Sequence, residues 1–140
     1  MQRGNFIPIP QRLALTFLAV VLIITPATAQ ELSEYLWKNR PLVIFADTPL
    51  DPHFIRQMEL LSQDTDELEE RDVVILTDSD PTANSALRET LRPRGFMLAL
   101  LGKDGKVKLR KPRPWTVREL SRAIDKFPLR IDELRQKREK

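Results

Sequence analysis

The residues best placed for chemistry lie in one short loop, where a predicted buried strand meets a predicted helix. Thr48, Asp51 and His53 carry polar side chains in this loop, and Arg94, before a later strand, could reach the same cleft. Ligands of an open α/β sheet bind beyond the carboxyl ends of its strands, and a helix N-terminus there attracts anions. Asp51 opposes this idea because, as an N-cap, its carboxylate would fill the same position. The loop is therefore a candidate ligand-binding site, with a simple cap and connection as the alternative.

A second candidate is a basic patch on a predicted edge strand, formed by Lys106, Lys108 and Arg110. It could hold anionic lipid or polysaccharide, whereas nucleic acid is not expected because no aromatic residues are interleaved for base stacking. Lysines also protect an edge strand from unwanted pairing, which is the simpler explanation. Over residues 47–80 there are eleven acids and two bases, and over residues 81–140 seventeen bases and seven acids. Such asymmetry can mark an interaction surface.

The composition excludes several kinds of chemistry. The chain has no cysteine, and His53 is its one histidine. Thiol redox chemistry, iron–sulfur ligation and zinc–thiolate sites all need cysteine. A single histidine gives poor support to a histidine metal site or to a Ser–His–Asp triad. We therefore predict no catalytic residue, no metal site and no cofactor.

The first 29 residues have the pattern of a secretory signal peptide. Arg3 and Arg12 accompany an uncharged run over residues 13–24, and an A-x-A cleavage site ends at Ala29. The run is shorter than the roughly 20 apolar residues of a membrane-spanning helix. We expect cleavage after Ala29, no stable membrane anchor, and one periplasmic or secreted domain over residues 30–140. An uncleaved membrane anchor is the alternative.

Capping patterns predict the helices. A short leading helix should end before Arg40. The next helix should begin at Asp51 and run into the acidic stretch at residues 64–70. After the last long helix we expect one more short turn, followed by a charged tail that frays. An exposed ion pair between Asp125 and Arg130 would lock the C-terminal segment in place. The two later long helices are predicted to begin at Asp80-Pro81 and at a capping box of Thr116 and Glu119.

Apolar segments predict four strands, at residues 42–46, 73–76, 96–101 and 107–110. Lys103 and Asp104 are of residue types that can act in catalysis. A two-residue Asp104-Gly105 turn, with both residues at positive φ, explains them instead as part of a hairpin. Right-handed crossovers should make the first two strand connections parallel, and the hairpin should make the last pair of strands antiparallel. This order predicts an α/β fold with a four-stranded mixed sheet and helices on both faces. Another small α/β sandwich with the same element order is the alternative.

Several motifs together resemble a known family. They are Trp37 and Arg40, residues 70–73, 95–96 and 101–110, Ile124-Asp125, residues 128–130 and Glu133. On these motifs the chain resembles an uncharacterised thioredoxin-like domain family, sometimes called DUDES. Its members are exported bacterial proteins and repeated domains of vertebrate secreted matrix proteins of the equarin type. The resemblance implies a thioredoxin-like fold and export, and it carries over no catalytic residue.

Thioredoxin-like proteins hold a cis-proline opposite their reactive loop, and Pro93 is the corresponding residue here, with a trans bond favoured. The predicted function is an exported, non-catalytic binding or structural module without redox cysteines. Its partner would be an unknown protein or an anionic component of the envelope or matrix. The alternative is an antioxidant- or oxidoreductase-related protein that acts without thiols, which rests on fold analogy alone.

Overall fold

The protein is described by a computed structural model over residues 32–140, so the predicted signal peptide lies outside the described residues. None of the helices in this range is long and apolar enough to cross a membrane. The chain forms a 3-10 helix at Leu32–Tyr35, β1 at Arg40–Phe45, α1 at Pro52–Ser62, α2 at Thr65–Glu69, β2 at Val73–Asp78, a 3-10 helix at Pro81–Ala83, α3 at Ala86–Leu91, β3 at Met97–Leu101, β4 at Val107–Lys111, α4 at Val117–Ile124 and α5 at Pro128–Arg138.

The four strands form one mixed sheet in the order β2-β1-β3-β4. β1 runs parallel to β2 and antiparallel to β3, and β3 pairs antiparallel with β4. The first connection is therefore parallel as predicted, but the prediction that the second one is also parallel was wrong. The right-handed crossover rule applies only to strands that run parallel, so it did not fix the direction of β3. The two central strands, β1 and β3, are buried along their whole length. A strand that is covered on both faces reads as a continuous apolar run, so these two segments could be recognised from the sequence.

Alternate residues of the central strands face two separate apolar clusters. Leu98 and Leu100 pack on one face with side chains of α1, α2 and α4. Met97 and Ala99 pack on the other face with α3 and the first 3-10 helix. The prediction of a mixed four-stranded sheet with helices on both faces is therefore confirmed.

Two of the predicted helices are interrupted. α1 ends at Ser62, and Asp64, whose φ of −143° and ψ of 59° are not helical, separates it from α2. The first turn of α2 carries acids that favour a new N-terminus. Asp80 caps only a single 3-10 turn, because Asn84 then adopts a left-handed φ of 44°. Ser85 caps α3 instead, by accepting a hydrogen bond from the backbone of Arg88.

The β3–β4 hairpin forms, but its turn differs from the predicted one. Gly105 has a φ of 75°, whereas Asp104 keeps a negative φ. The backbone N–H of Gly105 donates to the carbonyl of Gly102 at 3.0 Å, so Lys103 and Asp104 are the central residues of a turn that Gly105 completes. This longer loop places glycine at the one position that needs the left-handed region. On β4, Leu109 packs against the core as expected, but Val107 is 39% exposed.

The chain ends depart further from the expectation. The leading helix is a single 3-10 turn, and Trp37 beyond it is 68% exposed with a φ of 62°. α5 is an eleven-residue helix rather than one short turn. Its Ile131 is 43% exposed, while Arg130 is buried, so charged contacts rather than an apolar stripe hold this helix. Every peptide bond in residues 32–140 is trans, including the one before Pro93.

Candidate functional site

The loop between β1 and α1 is built as a helix cap. The Asp51 carboxylate accepts a hydrogen bond from the backbone N–H of His53 at 2.8 Å, and the Thr48 hydroxyl accepts one from Leu50 at 3.3 Å. The Asp51 carboxylate therefore occupies the place that an anion would take at this helix N-terminus. These contacts favour the simpler alternative for Thr48 and Asp51.

His53 connects this loop with the start of β3. Its ring meets the Phe96 ring edge-on, with centroids 5.4 Å apart. Phe96 lies just before β3, whose first residue pairs with Phe45, the last residue of β1. The contact therefore lies at the carboxyl end of β1, where ligands of such sheets bind.

An open pocket of about 470 Å³ lies beside this contact, at the same end of the sheet. It brings together Arg94 from the first predicted site and Arg110 from the predicted basic patch, with Phe96 between them. The hairpin register explains the meeting, because Lys111 at the end of β4 pairs with Leu98 near the start of β3. The pocket is lined by four bases, Arg92, Arg94, Arg110 and Lys111, and by Thr90, Leu91, Phe96, Met97 and Pro112.

The four bases have no acidic counterpart. In the described part of the chain none of them forms an ion pair. The sequence explains this, since residues 90–118 contain nine bases and one acid, Asp104. Asp104 lies at the other end of β4, where its carboxylate binds Lys108 at 2.9 Å. The uncompensated bases give the pocket a positive potential that attracts anions.

Two of the pocket's bases are held in place by uncharged neighbours. Arg110 donates to the carbonyl of Leu91 at 2.5 Å, which ties β4 to the end of α3. The ammonium of Lys111 lies 4.5 Å from the ring centroid of Trp115. Trp115 is fixed in turn by the buried amide of Gln57, which exchanges two 2.8 Å hydrogen bonds with its backbone. These contacts orient the two cations and leave both charges unneutralised.

The predicted basic patch is thus divided. Arg110 belongs to the pocket, whereas Lys108 pairs with Asp104 at the hairpin and Lys106 lies beside that turn. Burial tends to raise the pKa of Asp104, but hydrogen bonds from Lys108 and from the backbone of Lys106 outweigh it and lower this pKa. The Asp104 carboxylate therefore balances the positive charge of Lys108, and their ion pair stabilises the turn.

A second charged cluster, of which the sequence predicted only the pair of Asp125 and Arg130, holds α5 against the sheet. Arg40 is only 1% exposed, and its guanidinium binds the carboxylate of Glu133 at 3.0 Å. Lys103 binds the same oxygen at 2.9 Å, and Arg130 approaches the other oxygen at 3.6 Å. Arg40 and Arg130 are among the largest fully buried side chains of the described residues. Arg40, Arg130 and Glu133 all belong to the motifs by which the sequence resembles the thioredoxin-like family. That membership was the sequence signal that could have pointed to the cluster.

The predicted ion pair between Asp125 and Arg130 is present, with 3.5 Å between the charged atoms. It is not the exposed pair that was expected, because Arg130 is buried. The side-chain hydrogen bonds from Arg71 are the largest influence on Asp125 and lower its pKa. At Glu133 burial acts to raise the pKa, and the hydrogen bonds from Lys103 and Arg40 overcome it, so this pKa is also lowered.

The main chemistry that the described residues offer is the binding of anions. Among residues 32–140 no group of three His, Asp or Glu side chains is placed to hold a metal ion. The pocket combines guanidinium and ammonium groups with apolar side chains, and such a surface can bind anions.

Comparison with known proteins supports the fold. The reduced 2-Cys peroxiredoxin of Plasmodium vivax is similar in structure, with a TM-score of 0.54 and 16% identity over 66% of this chain and 79% of that chain. StoA from Bacillus subtilis matches with a TM-score of 0.41 and 12% identity over 61% of this chain and 82% of that chain. The likeness to the peroxiredoxin, together with the mixed four-stranded sheet, shows an α/β thioredoxin-like fold.

A sequence search of the curated proteins finds no match. A family does match, over residues 31–133, and its description is "Domain of unknown function (DUF4174)". The match covers most of the chain and includes every strand of the sheet. The chain therefore belongs to the DUF4174 family, an uncharacterised family with a thioredoxin-like fold.

Proposed function

We propose that this protein is an exported, non-catalytic binding module that takes anionic ligands in the pocket at the end of the sheet. The observation that carries the proposal is the convergence of four bases without an acidic partner on that pocket. Unpaired cations repel one another and are costly to bring together, so a ligand that neutralises them is the simplest reason for the arrangement.

The absence of thiols supports binding rather than redox chemistry. The name 2-Cys peroxiredoxin, given to a structural neighbour, refers to cysteines, and this chain has none. Without a thiolate there is no group here to attack a disulfide or a peroxide in the usual way. Export rests on the signal-peptide pattern of residues 1–29. The partner would then be an anionic component of the envelope or matrix.

A charge-matched pair of variants tests the proposal. Arg92→Asn with Arg94→Gln removes two unpaired charges from the pocket, and Arg122→Gln with Lys126→Gln removes two exposed charges from the region of α4. On a phosphate-bearing cation-exchange matrix the pocket variant should elute at clearly lower salt than the control variant. Equal elution of the two variants would mean that the retention reflects net charge alone, and the proposal would fail.

A further inference from the structure

The pocket that is proposed to bind anions has two chemical halves. Its four bases surround an apolar floor of Leu91, Phe96, Met97 and Pro112. Leu91, Phe96 and Met97 are core side chains that also line the pocket. A ligand that is charged throughout would leave this floor in contact with its polar groups.

We propose that the pocket binds a phosphate monoester attached to an apolar chain or ring. This inference rests on the proposed function and adds the class of ligand. The phosphate would be held by the bases, and the apolar body would lie on the floor. The volume of about 470 Å³ is within the usual range for pockets that enclose a small organic ligand.

The charge of the pocket favours a doubly charged head group. A phosphate monoester carries a charge of about −1.5 to −2 near neutral pH, whereas a carboxylate carries −1. Guanidinium groups bind phosphate oxygens through two parallel hydrogen bonds, which suits a site that contains three arginines. Arg92 and Arg94 have no side-chain partner in the described chain, so their donors remain available to the phosphate.

The backbone that carries these two arginines is conformationally restricted. Arg92 ends α3 with a left-handed φ of 48°, and Gly95 has a φ of 58°. The proline between Arg92 and Arg94 has a restricted φ of its own. Glycine or asparagine is usual at the position of Arg92, and a strained residue of this kind often marks a functional site. An arginine held there by a stiff turn is pre-organised for a ligand.

Calorimetric titration of the purified protein tests the ligand class with five probes: hexyl phosphate, phenyl phosphate, glycerol phosphate, inorganic phosphate and hexanoate. Hexyl or phenyl phosphate should bind at least tenfold more tightly than glycerol phosphate and than hexanoate. Removing about 60 Å² of apolar ligand surface from water accounts for a roughly tenfold gain in affinity over glycerol phosphate, which lacks that surface. Equal affinity for all the phosphates would overturn the inference and leave a general anion site. Equal affinity for hexanoate and hexyl phosphate would overturn the choice of head group.

The same two double variants locate the binding. Arg92→Asn with Arg94→Gln should weaken hexyl phosphate binding by tenfold or more, and Arg122→Gln with Lys126→Gln should change it by less than twofold. Hexyl phosphate binding that is unchanged in the pocket variant would place the ligand elsewhere and overturn the inference. If none of the five probes binds, the proposed anion-binding function fails as well.

Discussion

Glu133→Gln should destabilise the protein more than an ordinary surface substitution does. The Glu133 carboxylate binds Arg40, Lys103 and Arg130, and Arg40 has no access to water that could replace it. Glutamine keeps the shape and one acceptor oxygen but removes the charge. The surrounding cluster is neutral in sum, so the variant leaves one positive charge in excess. Its members are the bases Arg40, Arg71, Lys103 and Arg130 and the acids Glu70, Asp72, Asp125 and Glu133.

The size of the effect follows from burial. Removing one partner of a fully buried ion pair costs about 3–5 kcal/mol, because the other charge is left uncompensated. The Glu133 side chain is 24% exposed, and the new amide can still accept one hydrogen bond, so the cost should be smaller. We expect a loss of about 2–3 kcal/mol at pH 7, which is a large part of the stability of a domain of this size.

Urea unfolding followed by far-UV circular dichroism measures this loss, and Glu59→Gln is the control. Glu59 pairs with Arg56 at 3.2 Å, but both side chains are more than half exposed. The control should lose less than about 0.5 kcal/mol. A loss for Glu133→Gln no larger than that of the control would refute the view that this cluster holds α5.

The pH dependence gives the same reasoning a second test. The pKa of Glu133 is lowered in the folded protein from its ordinary value of 4.5. Its stabilising contribution is therefore complete above the unfolded-state pKa and is lost as the pH falls through the folded-state pKa. The difference in stability between the native protein and Glu133→Gln should be constant above about pH 6 and shrink below about pH 4. A difference that grows on acidification would contradict the assignment.

Four further expectations concern other parts of the chain. Leu100→Asp places an unpaired charge in a fully buried strand and should abolish the folded far-UV spectrum. Gln57→Leu leaves two backbone groups of Trp115 unpaired and should cost about 2–4 kcal/mol in urea unfolding. Arg92→Gly relieves a left-handed φ and should raise the unfolding free energy by about 0.5–1 kcal/mol. Mass spectrometry of protein from an exporting host should find a chain that begins at Gln30, whereas a full-length chain in the membrane fraction would contradict cleavage.

The strands of the sheet could be predicted because their signals are local, whereas the direction of β3 could not. The central strands are continuous apolar runs, and a glycine near Asp104 marks the hairpin. The helix boundaries were harder, because single residues such as Asp64 and Asn84 decide them by leaving the helical region of φ and ψ. Sequence periodicity does not contain that information, since an apolar stripe can continue from one helix into the next.

Apart from the pair of Asp125 and Arg130, the charged contacts of the cluster could not be predicted, because their partners are distant in sequence. Arg40 and Glu133 are separated by 93 positions, and an arginine is usually exposed unless it has a partner. The pocket itself was not predicted, although Arg94 and Arg110 were each named as candidates for different sites. Extending the hairpin register would have placed the end of β4 beside the start of β3, because pairing about a turn fixes which residues meet, such as Lys111 with Leu98.

The all-apolar central strand has a consequence for the chain before it folds. Residues 96–101 contain no charge and no proline, and short segments of this kind readily stack into amyloid-like sheets when they are exposed. In the native sheet β3 is shielded between β1 and β4. In the unfolded chain the flanking bases Arg94 and Lys103 act as gatekeepers, because charge repulsion keeps two copies of the segment apart. The excess of bases around β3 therefore protects the nascent chain from aggregation as well as shaping the surface of the folded one.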